Sequence, residues 1–278
     1  MASSRDESVM IREVWNYNLE NEFRLIREIV DDYPYIGMDT EFPGTVLRFI
    51  GRGLTDLERA YREVKCNVDI LKLIQLGLTF ADGEGNLPRC RTGRFCVWQF
   101  NFCEFDPTED ICATDSIDLL RSSGINFDRH KRIGVDSRRF GDLLISSGAV
   151  LNSAVQWVTF HSCYDFCYVL RLVSGKNLPD TYEKFQSLLG VFFPVINDLK
   201  YMTSGNSGLQ GGLGRLADIL NVKRVGVSHQ AGSDSLVTFR AFLNLNGGYL
   251  DGSVRKDAGV VYGFGDDKSN NVPKETNM

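Results

Sequence analysis

Tyr35-Ile36-Gly37-Met38-Asp39-Thr40-Glu41-Phe42 is the stretch from which the chain is best read. Its apolar flanks read as a short buried strand over 35–41, which Pro43-Gly44 ends. Asp39 and Glu41 are two positions apart, so on a strand both point to one face. An Asp-x-Glu pair alone commonly marks a solvated strand face. Two carboxylates on a buried strand instead need a cation or a hydrogen-bonding partner.

Two further segments place acids at the junction of an apolar run and a helix: His161-Ser162-Cys163-Tyr164-Asp165-Phe166 and His229-Gln230-Ala231-Gly232-Ser233-Asp234. Side chains from distant parts of a chain can converge at such junctions. Four carboxylates brought together oppose each other's ionisation. A pair of divalent cations resolves that conflict, and two such ions with a nearby general base form a phosphodiester-cleaving centre. His229 beside Asp234 has a structural reading, the more frequent one for a histidine next to an acid, and a catalytic one, since an imidazole suits proton removal from water. Asp165 has a structural alternative, since Ser162-Cys163-Tyr164-Asp165 matches a helix capping box.

Outward from these segments, residues 18–30 read as an amphipathic helix with Leu19, Phe23, Ile26 and Val30 as its stripe and Asn18 as its cap. Residues 55–68 read as a helix opened by a Thr55/Glu58 capping box. The later part of 69–80 and the stretch 94–102 read as antiparallel strands joined by the turn residues 82–86. Helices are expected at 116–123, 136–146, 181–189 and 213–220, strands at 155–160 and within 192–199, and a last long helix from Asp234 through Leu243. Residues 1–10 show no pattern and are expected to be a flexible N-terminus. One domain is expected over 11–250 and a disordered tail over 251–278. The class is α/β.

Composition sets limits. The chain has 278 residues, 43% hydrophobic and 24% charged, with no apolar run near the ~20 residues that span a bilayer. The N-terminus has no secretory pattern, so a nuclear or cytosolic address, or both, is expected, with no membrane. None of the seven cysteines forms a C-x-x-C pair, which argues against zinc, and reduced thiols fit that address. Cys163 and Cys167 read as two buried thiols on one helix face. The net charge of −5 is unlike that of most nucleic-acid binders. Two divalent cations would supply four positive charges to the acidic site and bring it close to neutral. Arg129-His130-Lys131-Arg132 with Arg138-Arg139 reads as a solvated helix face. Arg48 and Arg52, just beyond the first acidic pair, are better placed for substrate contact. Gly212-x-Gly214-x-x-Ala217 fits a dinucleotide-binding pattern, but no strand precedes it, and it reads as a loop entering a helix.

In order, Asp-x-Glu, Asp and His-x4-Asp resemble the exonuclease superfamily named for its four acids, in the subgroup that carries histidine. Longer phrases resemble one branch, the CCR-associated-factor deadenylases of the CCR–NOT complex, and plant members most. These are residues 38–44, 67–77, 115–120, 160–162, 164–166 and 229–235. The resemblance implies an RNase-H-like fold, a mixed central sheet flanked by helices. It implies two divalent ions, Mg²⁺ or Mn²⁺, held by Asp39, Glu41, Asp165 and Asp234, with Asp39 bridging both and His229 as general base. The implied reaction is 3′→5′ shortening of mRNA poly(A) tails with release of AMP. The implied partners are poly(A) RNA, a CCR–NOT scaffold subunit and a second deadenylase subunit. Cys163, Cys167, Ser228, Asn197 and the segment 89–94 depart from the family's usual wording. The first two motivate an alternative, a weakly active or inactive adaptor of the same complex.

Overall fold

The computed structural model describes residues 9–51, 53–91, 93–248 and 259–264. Six strands form one sheet: β1 (Val9–Val14), β2 (Tyr35–Glu41), β3 (Gln75–Ala81), β4 (Phe95–Asn101), β5 (Gln156–Thr159) and β6 (Ile196–Asp198), in the order β1-β4-β3-β2-β5-β6. β2, β3 and β4 pair antiparallel, while β1–β4, β2–β5 and β5–β6 are parallel. The sheet is therefore mixed and flanked by helices, as expected for the RNase-H-like α/β fold. Among the described residues no helix is long and apolar enough to cross a membrane.

The two faces of the sheet bury different sets of residues, as period-two alternation requires. Ile36 and Met38 of β2, Leu76, Leu78 and Phe80 of β3, and Trp98 and Phe100 of β4 join the larger core. That core packs under α1 (Leu19–Ile29), α2 (Asp56–Ile70), α5 (Ser137–Ile145), α6 (Cys163–Ser174) and α7 (Tyr182–Phe192). The opposite face carries the alternate residues and is crossed by α10 (Ala231–Gly248), with α9 (Leu213–Ile219) beside it. Leu236, Phe239 and Phe242 of α10 pack there with Ala81, Val97 and Val158 of the strands. Gly37 and Gly77 let α10 lie close. A Cβ at Gly37 would stand 2.7 Å from the Ser235 carbonyl oxygen, and one at Gly77 only 1.9 Å from that of Ala231.

Local signals account for most boundaries. The Thr55 hydroxyl accepts from the Glu58 amide and the Glu58 carboxylate accepts from the Thr55 amide, so the α2 capping box forms as read. Asn18 precedes α1, but its Oδ1 accepts from the Trp15 amide rather than from the first helical turn. The turn at 82–86 is closed by Asp82, whose carboxylate accepts from the amides of Glu84 and Asn86.

Several expectations are corrected. Residues 9 and 10, taken with a flexible N-terminus, are paired in β1; residues 1–8 lie outside the described set. β1 escapes a pattern reading because Arg12 turns toward the core, where its guanidinium meets Glu22 of α1 at 2.6 and 2.8 Å. The short helices α3 (Thr114–Ser122) and α4 (Phe127–Ile133) are separate, and α4 carries the basic run 129–132 that reads as a helix face. Within the expected disordered tail, residues 259–264 are packed. The Gly259 amide donates to the Ile196 carbonyl, and Phe264 is buried against Tyr61, Tyr182 and Phe185. Residues 251–258 and 265–278 lie outside the described set. The Ser162/Asp165 capping box does not form. The Ser162 hydroxyl donates to Asp198 Oδ2 at 2.8 Å instead.

Candidate metal centre

Asp39 and Glu41 leave β2 on the α10 face, as their spacing requires, and Asp234 reaches them from the first turn of α10. One carboxylate oxygen from each of the three lies within 4.8 Å of the others, a separation at which one cation can bind all three. Asp165 comes from the other helical layer, around the end of β2. It is buried, and its Oδ1 accepts from the Thr40 hydroxyl at 2.7 Å. It lies outside the tight trio, but its charge adds to those of Asp39 and Glu41.

The turn that presents Asp165 is held by a second carboxylate. Asp198, at the end of β6, accepts from the amides of His161, Ser162, Lys200 and Tyr262 and from the Ser162 hydroxyl, all within 3.0 Å. His161 takes a left-handed φ of 61° in this turn. Cys163 and Cys167 are both buried in the larger core, as expected for structural thiols. Cys167 lies two positions beyond Asp165, roughly 200° around the helix, fully buried in the larger core, where the Asp69 and Asp165 charges still reach its thiol.

Electrostatics set the carboxylates apart from ordinary ones. Burial, then the charges of Asp234, Glu41 and Asp165, hold the Asp39 carboxyl well above its usual range. Burial, then Asp234 and Asp165, push Glu41 up to about 8. Burial pushes Asp165 up to about 7, against the opposing hydrogen bond from Thr40. Arg224 is the cation that offsets Asp39 and Glu41, through its 2.6 Å ion pair with Asp234 Oδ1. Among the described residues, one guanidinium against four acids leaves the cluster short of positive charge. All donors are carboxylate oxygens, the ligand type that hard divalent cations such as Mg²⁺ and Mn²⁺ prefer. The residues therefore fit a divalent-metal site.

His229 is exposed, with φ 61°, and its backbone amide donates to Asp234 Oδ2 at 2.8 Å. The structure thus ties the backbone of the candidate base directly to a candidate ligand. Of the basic residues singled out for substrate contact, Arg48 is exposed in the segment after β2, and Arg52 lies outside the described residues. The basic run on α4 is mostly engaged: Lys131 pairs with Asp106, and His130 is buried with its Nδ1 3.0 Å from the Phe102 carbonyl. Arg139 pairs with Glu20. The glycine pattern at 212–217 caps and enters α9 after a 3-10 turn at Ser207–Leu209, with no strand before it.

Side chains that no motif singled out hold the centre together. Gln75 Oε1 accepts from the Ala231 amide at 3.3 Å, and Gln99 Oε1 accepts from the Gly232 amide at 2.9 Å. The first turn of α10, whose amides lack helical partners, is therefore capped by two sheet amides. Gln230 Oε1 accepts from Gln75 Nε2 at 3.1 Å and Gln99 Nε2 at 2.8 Å, and its Nε2 donates to the Ser123 carbonyl at 2.9 Å. Thr79 and Ser235 share a 2.9 Å hydrogen bond one turn further on. The visible signal is period-two polarity, Gln75-x-Gly77-x-Thr79 and Gln99-x-Asn101, inside strands otherwise apolar.

A family model described as CAF1 family ribonuclease matches residues 14–139 and 149–242. The probable CCR4-associated factor 1 homolog 7 of Arabidopsis thaliana is 54% identical over 262 residues, covering 94% of this chain and 95% of that protein. The poly(A) ribonuclease pop2 of Schizosaccharomyces pombe is 43% identical over 256 residues, covering 92% and 75%. The solved Mg²⁺- and Mn²⁺-bound form of S. pombe Pop2p is similar with a TM-score of 0.86 and 42% identity, over 91% of this chain and 99% of that one. A structure of the yeast NOT1 MIF4G domain co-crystallised with CAF1 matches with a TM-score of 0.76 and 31% identity, over 94% and 100%. The family model's ranges take in β2 to β6 and the positions of all four acids, and the chain belongs to the CAF1 family of ribonucleases.

Proposed function

We propose that the chain is a divalent-metal-dependent 3′→5′ exoribonuclease that shortens mRNA poly(A) tails and releases AMP, acting as the nuclease subunit of a CCR–NOT-type complex. The observation that carries this reading is the convergence of Asp39, Glu41 and Asp234, with Asp165 beside them, in a ribonuclease-family chain. Asp39, Glu41 and Asp234 would hold one ion, and Asp165, with Asp39, would hold a second. When bound, the ions neutralise the acidic cluster and the charge that develops on the phosphodiester. His229, exposed at the entrance to α10, takes the proton from the attacking water. Asp234 keeps the His229 backbone in place, and Thr40 orients the Asp165 carboxylate.

The substrate assignment is supported by the relative pop2, a poly(A) ribonuclease, and that of a NOT1-type scaffold by the yeast NOT1–CAF1 structure. A second deadenylase subunit and a shared nuclear and cytoplasmic location complete the proposal on the family resemblance. With purified protein, Asp39→Ala and Asp165→Ala should each abolish shortening of an RNA ending in adenosines. Full activity in both variants would refute the reading. Normal mRNA turnover in cells that carry only such a variant would favour the adaptor role, which the substitutions at Cys163 and Cys167 motivated.

A further inference from the structure

A cavity of about 340 Å³ opens where β1, β3 and β4 meet α4 and the segment before α10. Its size falls in the range of small-ligand pockets. Gln75, on its floor, is the register partner of Glu41, and Gln230, on its rim, follows His229. Whatever occupies the cavity therefore lies within one nucleotide of the metal centre. The remaining polar walls come from Gln99 and Asn101 of β4, Glu13 of β1 and Arg129 of α4.

The hydrogen-bond pattern determines what the cavity can read. The Gln75 and Gln99 side chains and that of Gln230 are engaged with one another and with α10, as described above, and cannot turn toward a ligand without releasing the helix. Glu13 differs. Its Oε1 accepts from Gln99 Nε2 at 3.0 Å and its Oε2 from Asn101 Nδ2 at 2.8 Å. A carboxylate offers about four acceptor positions, so two remain, and none of them can donate. Glu13 is exposed to the cavity and favours an amino group over a carbonyl. The second reader is planar. The Arg129 guanidinium lies over the Trp15 ring, 4.2 Å from its centroid, and Arg129 is an exposed residue lining the cavity. A guanidinium plane backed by an aromatic ring is a stacking platform for a nucleobase.

We propose that this cavity is the subsite for the adenine of one nucleotide flanking the scissile phosphodiester, with Arg129 stacked on the base and Glu13 accepting from its 6-amino group. The proposal rests on the poly(A) reading above and adds a physical source of base preference to it. Inosine is the discriminating probe, because it replaces the 6-amino group of adenosine with a carbonyl that meets a carboxylate oxygen.

The test uses 5′-labelled RNAs of twenty adenosines with one inosine at each of the last four positions, degraded by the full chain with Mg²⁺. The expected result is a pause of about tenfold or more when inosine reaches one register, the scale set by leaving one hydrogen-bonding group unpaired. Glu13→Gln, which introduces a donor, should shrink that pause to about threefold or less. Arg129→Lys, an exposed change that keeps the charge but removes the plane, should raise KM for all-adenosine RNA about tenfold, as loss of one stacked base does. A pause of equal size in Glu13→Gln, or passage through inosine at every register by an enzyme that degrades all-adenosine RNA, would overturn the proposal while leaving the deadenylase reading intact. Failure of the wild-type chain on all-adenosine RNA would remove both.

Discussion

Gly77→Ala tests whether the contact between α10 and the sheet positions the metal centre. A Cβ at Gly77 would lie 1.9 Å from the Ala231 carbonyl oxygen, 2.2 Å from its carbon and 2.7 Å from the Gly232 nitrogen. A carbon sits no closer than about 3.3 Å to a carbonyl oxygen, so the backbone must part by roughly 1.5 Å. All three are main-chain atoms at the start of α10, with no flexible side chain to yield. The displaced turn carries Gln230 and Asp234 and follows His229, while Asp39 and Glu41 remain on β2. Overpacking of this kind costs about 1–3 kcal/mol, which lowers Tm by roughly 3–10 °C in a chain of this size. Misplacing reacting groups by about 1 Å costs on the order of 10²-fold in rate. The expected outcome is therefore a folded protein with a modest loss of Tm and at least a hundredfold loss of deadenylation at saturating metal. Gly190→Ala on α7, where an added Cβ meets nothing within 4 Å, is the control. Wild-type activity in Gly77→Ala, or equal losses in the two variants, would refute the reasoning.

Other outcomes follow from the same geometry. In metal-free protein, Glu41, Asp165 and Asp39 hold protons that the unfolded chain, with carboxylates near pH 4, has released. Metal-free stability should thus fall as pH rises from about 4.5 through about 8, and saturating Mg²⁺ should flatten the slope; a metal-free Tm that rises over this range would contradict it. Gln99→Ala removes the acceptor for the Gly232 amide and a donor to Gln230. It should lower Tm by a few degrees and kcat by about tenfold or more, measured side by side. Thr40→Val removes the hydrogen bond to Asp165, so the Mg²⁺ concentration for half-maximal rate should rise about tenfold, as loss of a partner to a ligand typically causes. Cys167→Gly, which removes a buried core side chain, should cost stability and leave the rate per folded molecule within about threefold; a large gain in rate would show that Cys167 crowds the centre.

Much of the centre was legible because its signals are local. The alternation in 35–41 and the two-residue spacing of Asp39 and Glu41 locate a strand and a face without knowledge of the partners. The Thr55/Glu58 pair closes within one helical turn. The three separated acids were assembled by resemblance to the family's phrases, since no local rule brings residues 39, 165 and 234 together. What escaped depends on long-range partners. Ser162 reads as a helix cap, but its hydroxyl is claimed by Asp198, 36 residues away. Arg12 breaks the alternation of β1 because its partner, Glu22, sits on another element. Gln75 and Gln99 look like interruptions in apolar strands, and only the approach of α10 gives them their function as caps. Residues 259–264 read as part of a polar tail, but Val261 and Phe264 find buried places beside α6 and α7.

The central claim is that the acidic cluster is a metal-dependent poly(A) nuclease centre. Its most direct test is incubation of the purified chain with a 5′-labelled RNA ending in about twenty adenosines, with Mg²⁺, Mn²⁺ or EDTA. The account predicts a ladder of single-nucleotide steps that ends where the adenosines end and disappears with EDTA. A folded protein that leaves this RNA intact in either metal, or degrades it unchanged in EDTA, would contradict it.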